Sequence, residues 1–406
     1  MNQEPQNKMI NRRGFGLKEA IKPLLNESYH SSLIERIKAS DYVLEAGDLQ
    51  ICLAREFGFC YGVDRAVDLA YETRKQFPDR NIYLTSEIIH NPRVNTKLRE
   101  LGIQFLDSGK TGQTPGSSLD AVTREDVVLI PAFGTPTPEL ELLKSKGCIL
   151  VDTTCGSVVA VWRRVEQYGR DGFTSVIHGK FNHEETRATS SRATQYAGGA
   201  FLVVRDRAQA GRVCQFILGR LDQESFLAEF QSTASYGFDP RKHLERVGCA
   251  NQTTMLASES FEIAEMIKAA LKERYGEEEL SKRFRHFDTI CSATQDRQDA
   301  ILNLARSGVN LVVIVGGYNS SNTGHLCEIS SEFCPAYHVR DADEILSRDA
   351  IRHKPPSGSS TVVTRGWLPQ GKVRIGITAG ASTPNRVIEE VICKVVTSRG
   401  YKLADV

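Results

Sequence analysis

The chain has 406 residues, 40% of them hydrophobic, with 51 Lys and Arg set against 50 Asp and Glu. That length can bury a substantial core and divide into several domains. The near-balance of charge argues against a nucleic-acid-binding body, so an anionic ligand must be small and held locally. Apolar runs such as Leu311 to Val315 are about five residues long, far below the roughly 20 that a membrane-spanning helix needs.

Residues 1–48 are polar and charged, with short helical patterns at Leu33, Ile34 and Ile37, and read as an N-terminal extension packed on or beside the main body. The opening MNQEPQNKMINRRGFG has no apolar h-region and no clear transit-peptide character, which points to the cytoplasm, or to the plastid stroma for a plant or algal source. From Leu49 onward short β-rich runs alternate with amphipathic helical stretches: LQICLA then DRAVDLAYETRKQF, VVLIPAF then PELELLKSKG, VRIGIT then PNRVIEEVICKVV. This alternation predicts α/β layers with largely parallel sheets. Three α/β units are expected, over 49–155, 156–290 and 291–390, followed by a tail over 391–406. Surface loops are expected at 107–123, 193–199 and 354–361, where Gly, Ser and Pro gather.

Ten cysteines are spread along the chain without a C-x-x-C pair, so neither a zinc ribbon nor a thioredoxin motif is present. In a reducing compartment most should be buried small hydrophobes. Three stand apart because a weak repeat singles them out. In LQICLAREFGFC-YGVDRAV, CILVDTTC-GSVVAVWRRV and FRHFDTIC-SATQDRQDAI, a short apolar run leads to a cysteine that opens a helix. A thiol at that place meets unpaired backbone N–H groups and the positive end of the helix dipole, which favour thiolate and suit a metal. Cys60, Cys155 and Cys291 lie too far apart in sequence for a local metal loop, so as ligands they must converge from separate units. Three thiolates leave one iron of a cubane without a protein thiolate, and such an iron can polarise an oxygen.

Two further loops suit phosphate. The run LVVIV enters GGYNSSNTGHL, and VRIGIT enters AGASTPNRVIEEV, placing Ser320, Ser321, Asn322 and Ser382 where helices begin. His90 in EIIHN and His183 in FNHEET follow apolar runs, where ligands gather in parallel-sheet folds. A carboxyl beside them in a water-poor site could hold a proton at neutral pH. Thr253 and Thr254 of NQTTM offer hydroxyl relays. No convincing G-x-G-x-x-G fingerprint follows a strand, so no hydride cofactor is expected.

Taken in order, GFCYGVDRA, EIIHNP, DTTC, NHEET, NQTT, TICSATQDRQ, NSSN and TAGAS closely resemble the hydroxymethylbutenyl diphosphate reductase family, which acts last in the methylerythritol phosphate route to isoprenoids. The resemblance implies a three-lobed α/β fold with pseudo-threefold symmetry around a [4Fe–4S] cluster held by Cys60, Cys155 and Cys291. It places Glu185 on the proton-delivering acid and Thr253 on its hydroxyl partner. His90, His183, Ser320, Ser321, Asn322 and Ser382 fall on diphosphate-binding positions, and a ferredoxin is implied as the electron donor. Two positions depart from the commoner pattern: Phe133 stands in PAFGTP where many relatives have His, and Gly156 follows DTTC where Pro is usual. With the N-terminal extension, these features are similar to the plant and cyanobacterial branch. A non-enzymatic iron–sulfur sensor would need the three thiolates but not the acid loop. A hydro-lyase would use the open iron without consuming electrons.

Overall fold

The computed structural model describes residues 10–106, 118–356, 358 and 360–402. Most of the expected loop at 107–123, and residues 357 and 359 of that at 354–361, lie outside the described residues. Contacts divide the chain into two units: Met1–Arg13, Asp79–Ile88 and Gly102–Cys291 form the first, and Gly14–Pro78, Ile89–Leu101 and Ser292–Val406 the second.

The first unit carries two four-stranded sheets, parallel throughout. One has the order Ile103–Phe105, Ile82–Leu84, Val127–Ile130, Ile149–Asp152. The other runs Phe284–His286, Val247–Asn251, Thr174–His178, Phe201–Val204. The second unit has a five-stranded sheet ordered Val43–Ala46, Leu49–Leu53, Val373–Ala379, Leu311–Val315, Ala336–Val339, antiparallel only at the Val43–Ala46 edge. Runs such as VVLI at 127–130 and LVVIV at 311–315 are buried at every residue, as strands covered on both faces must be. In the second unit Ile51, Val313 and Ile377 pack with Val387, Ile388, Val391 and Val395 of the helix Asn385–Ser398.

The α/β class is as expected. Leu49–Leu53, assigned from the sequence to a first unit over 49–155, is hydrogen-bonded beside Val373–Ala379. In the extension, Leu33, Ile34 and Ile37 of the helix Ser32–Ala39 pack into the second unit's core. The helix Asn385–Ser398 runs on through residue 391, where a C-terminal tail was expected to begin. Alternation in sequence marks elements, while the neighbour of a strand edge is a long-range choice.

The strand–cysteine–helix repeat is present. Leu49–Leu53, Ile149–Asp152 and Phe284–His286 belong to three different sheets. Cys60 precedes the helix Tyr61–Gln76, Cys155 precedes Gly156–Arg170, and Cys291 precedes Ser292–Arg306.

Two strand histidines make the fold acid-sensitive. Burial pulls both His178 and His338 down to about 4. Below the ordinary value of 6.5 the unfolded chain takes up protons that the native imidazoles refuse, so stability falls as pH drops from about 6.5 towards 4. Denaturant titrations should show a loss of about 2 kcal/mol per imidazole between pH 7 and pH 5. His338→Gln should flatten that slope.

Candidate active site

In the first unit, the strand Thr174–His178 leads into the helix Glu184–Ala193 through FNHEE. His183 is its N-cap, with Nδ1 accepting from the Glu185 N–H at 3.1 Å, so the neutral ring carries its proton on Nε2 and can donate to an anion. Glu185, in the first helical turn, is 1% exposed. Its carboxylate accepts the Thr253 N–H at 2.6 Å and the Thr253 hydroxyl at 3.0 Å. Gln252 ties the two loops together: its Oε1 accepts from Thr186 Oγ1 and Lys180 N, and its Nε2 donates to Thr254 Oγ1. Thr254 therefore bonds to Gln252, and Thr253 is the hydroxyl on the acid. The Cys291 N–H donates to Thr253 O at 3.3 Å, which joins this cysteine to the same loop.

Cys155 is reached from the PAFGTP side. Its N–H donates to Ala132 O at 3.0 Å. The next residue, Phe133, sets its ring against the His183 imidazole in a T-shaped contact, with centroids 5.3 Å apart. Gly134 has φ +82°, and a Cβ there would lie 2.2 Å from the Trp162 ring, so this turn requires glycine.

The second unit assembles the expected phosphate-binding residues. Ser320 caps the helix Ser321–Ser331 by accepting from Thr323 N. Asn322 Oδ1 accepts from Ala381 N at 3.1 Å, while its Nδ2 is buried and has no hydrogen-bond partner among the described residues. Ser382 Oγ donates to His90 O at 3.3 Å. Asn319 Nδ2 lies 3.3 Å from His90 Nδ1, which ties this imidazole to the NSSN loop. Gly317 allows the backbone to approach, since a Cβ there would lie 2.5 Å from His90 O. The Cys60 N–H donates to Ala381 O, so the single residue Ala381 serves the cysteine through its carbonyl and Asn322 through its N–H. The roles of Asn319 and Gln252 were missed in the sequence, although each lies inside a recognised motif, NSSN and NQTT.

The ten cysteines divide into two groups. Burial pushes the thiols of Cys52, Cys148, Cys214, Cys249, Cys327, Cys334 and Cys393 up, Cys148 and Cys214 to about 11. Cys60, Cys155 and Cys291 instead each stand immediately before the first residue of a helix. This donor set fits a thiolate-held iron–sulfur cluster. The orphaned amide of Asn322, beside buried Ser320, Ser321 and Ser382, fits an anion rich in acceptor oxygens.

A family model described as LytB protein matches residues 51–396. The chain is 48% identical over 396 residues to a Gloeobacter violaceus protein named 4-hydroxy-3-methylbut-2-enyl diphosphate reductase, covering 97% of this chain and 94% of that one. A Picosynechococcus protein of the same name is 45% identical, with 97% and 95% covered. Among solved structures it is similar to an (E)-4-hydroxy-3-methyl-but-2-enyl diphosphate reductase described as the terminal enzyme of the non-mevalonate pathway. That match has 29% identity and a TM-score of 0.51, over 85% of this chain and 98% of that one. A Plasmodium falciparum reductase structure, 22% identical with a TM-score of 0.60 over 84% of this chain and 86% of that one, shares the fold.

Proposed function

The chain belongs to the LytB protein family, and from that membership we infer its reaction and propose the roles of its residues. It is an oxidoreductase that dehydroxylates (E)-4-hydroxy-3-methylbut-2-enyl diphosphate to isopentenyl and dimethylallyl diphosphate, the last step of the non-mevalonate pathway. The observation that carries this reading is the family match over residues 51–396, supported by the buried Glu185–Thr253 pair. Two electrons and two protons enter, and one water leaves.

We assign the ligands of a [4Fe–4S] cluster to Cys60, Cys155 and Cys291, on the donor chemistry described above. When bound, the cluster supplies electrons singly and a Lewis-acidic iron. The protein's own groups do the rest. The helix N-terminus at Ser321, the Asn322 amide, the hydroxyls of Ser320, Ser321 and Ser382, the Nε2–H of His183 and the His90 imidazole are assigned to the diphosphate. Glu185 holds the proton that turns the departing hydroxyl into water. Its contact with Thr253 Oγ1 works in both senses, because the hydroxyl donates to the carboxylate and accepts from the carboxylic acid. Burial of the pair keeps bulk water from competing for that proton.

A low-potential ferredoxin is the proposed electron donor, in keeping with the cyanobacterial relatives. The proposed location is a reducing cytosol, or the stroma for a plant or algal source, since all ten cysteines are unbridged. Among the described residues no helix is long and apolar enough to cross a membrane. Anaerobic assay with a chemical reductant tests the function: two electrons should be consumed for each diphosphate converted. Conversion without electron uptake would mark a hydro-lyase, and cluster loading without conversion a sensor.

Phe133 replaces a hydrogen-bonding residue with a wall against His183. Phe133→Ala should lower turnover and loosen substrate binding by about 1 kcal/mol, the usual worth of an aromatic contact. Phe133→His should raise affinity by under about 1 kcal/mol, because the new polar group must first be desolvated. Substrate KM and single-turnover rates decide the matter. A large affinity gain in the histidine variant, or an alanine variant matching wild type, contradicts the wall.

A further inference from the structure

We propose that Asn11 and Arg12 of the N-terminal extension are positioning residues for Cys155, holding its loop from outside the sheet. The proposal rests on the assignment of Cys155 as a cluster ligand. The strand Ile149–Asp152 is the edge of its four-stranded sheet. Asn11 extends that edge: its N–H donates to Leu150 O at 3.0 Å, and its carbonyl accepts from Asp152 N at 2.9 Å, as in a parallel strand pair. Ile10 packs against the core cluster containing Tyr83, Leu106 and Val128.

Arg12 then acts on the loop itself. Its Nε lies 2.8 Å from Asp152 Oδ2, a carboxylate whose side chain is 5% exposed. The other carboxylate oxygen, Oδ1, accepts both the N–H and the hydroxyl of Thr154, closing a turn across Asp152-Thr153-Thr154. Thr153 bonds to Ile130 O through N and Oγ1, and Cys155 N bonds to Ala132 O. Without Arg12 the Asp152 carboxylate loses the ion pair that fixes Oδ2, and its other oxygen is held less firmly under the Thr154 donors that shape this turn. Downstream, Cys155 is tied to the helix through its carbonyl, which accepts the Val159 N–H at 3.1 Å, while exposed Gly156 has no side chain to pack. Upstream anchorage by the extension therefore adds to the Ile130 and Ala132 bonds in orienting the thiol.

The test compares wild type, Arg12→Ala, Arg12→Lys and Arg12→Ala/Gly156→Pro. In cluster-free protein, iodoacetamide labelling of individual cysteines is followed by peptide mass spectrometry. In loaded protein, the rate of iron loss to a chelator is followed under anaerobic conditions. Arg12→Ala should label Cys155 roughly fivefold faster or more, as local opening becomes easier, with Cys291 unchanged. It should also release iron faster. Lysine, a point charge at the same place, should restore part of the protection. Proline at 156 should restore it too, because Cys155 at φ −62° and ψ 139° already has the conformation that precedes proline, and a helix's first residue needs no N–H. Equal labelling of Cys155 in wild type and Arg12→Ala, or equal acceleration at Cys291, overturns the proposal. A wild type that binds no iron would instead overturn the ligand assignment, with the labelling result still deciding the role of Arg12.

Discussion

Glu185→Gln should keep its iron and its affinity for the diphosphate yet turn over more slowly by on the order of a hundredfold or more, the scale of losing a positioned general acid. Glutamine has nearly the same shape, and its carbonyl can still accept the Thr253 N–H that now bonds at 2.6 Å. What disappears is the titratable proton opposite the Thr253 hydroxyl. With the side chain 1% exposed, solvent has no ready path to replace it. Thr253→Ala should cost less, because it removes the hydroxyl contact and leaves the backbone one. Single-turnover rates with pre-reduced enzyme, measured beside the substrate dissociation constant, separate chemistry from binding. Wild-type turnover in the glutamine variant would move the proton source to another group. A matching collapse in affinity would make Glu185 a binding residue.

The second large effect concerns iron. Cys60→Ser, Cys155→Ser and Cys291→Ser, each prepared anaerobically, should lose most of their iron and sulfide, and activity with it. Serine at any of the other seven cysteine positions should leave the iron count unchanged. Those seven thiols are pushed up by burial, and Cys249, for one, lies among Val176, Val213 and Ile263. Placing a hydroxyl there costs stability, roughly 1–3 kcal/mol, and removes no ligand. Normal iron and activity in any of the first three variants would remove that cysteine from the ligand set.

By itself the sequence determined the local grammar and the chemistry it implies. Buried runs such as LVVIV name their strands. The passage from strand to cysteine to helix is written three times, and DTTC, NHEET, NQTT and NSSN announce a family whose reaction follows. These features are legible because each depends on residues within a turn or two of one another. Tertiary structure alone decided that Leu49–Leu53 joins the strand Val373–Ala379, that Gln252 bonds across to Lys180 and Thr186, and that the extension caps a sheet edge at Asp152. A strand edge presents the same N–H and C=O groups to any neighbour, and a buried carboxylate accepts from any donor within reach. Periodicity and motif spacing cannot name those partners, because packing across the whole chain selects them.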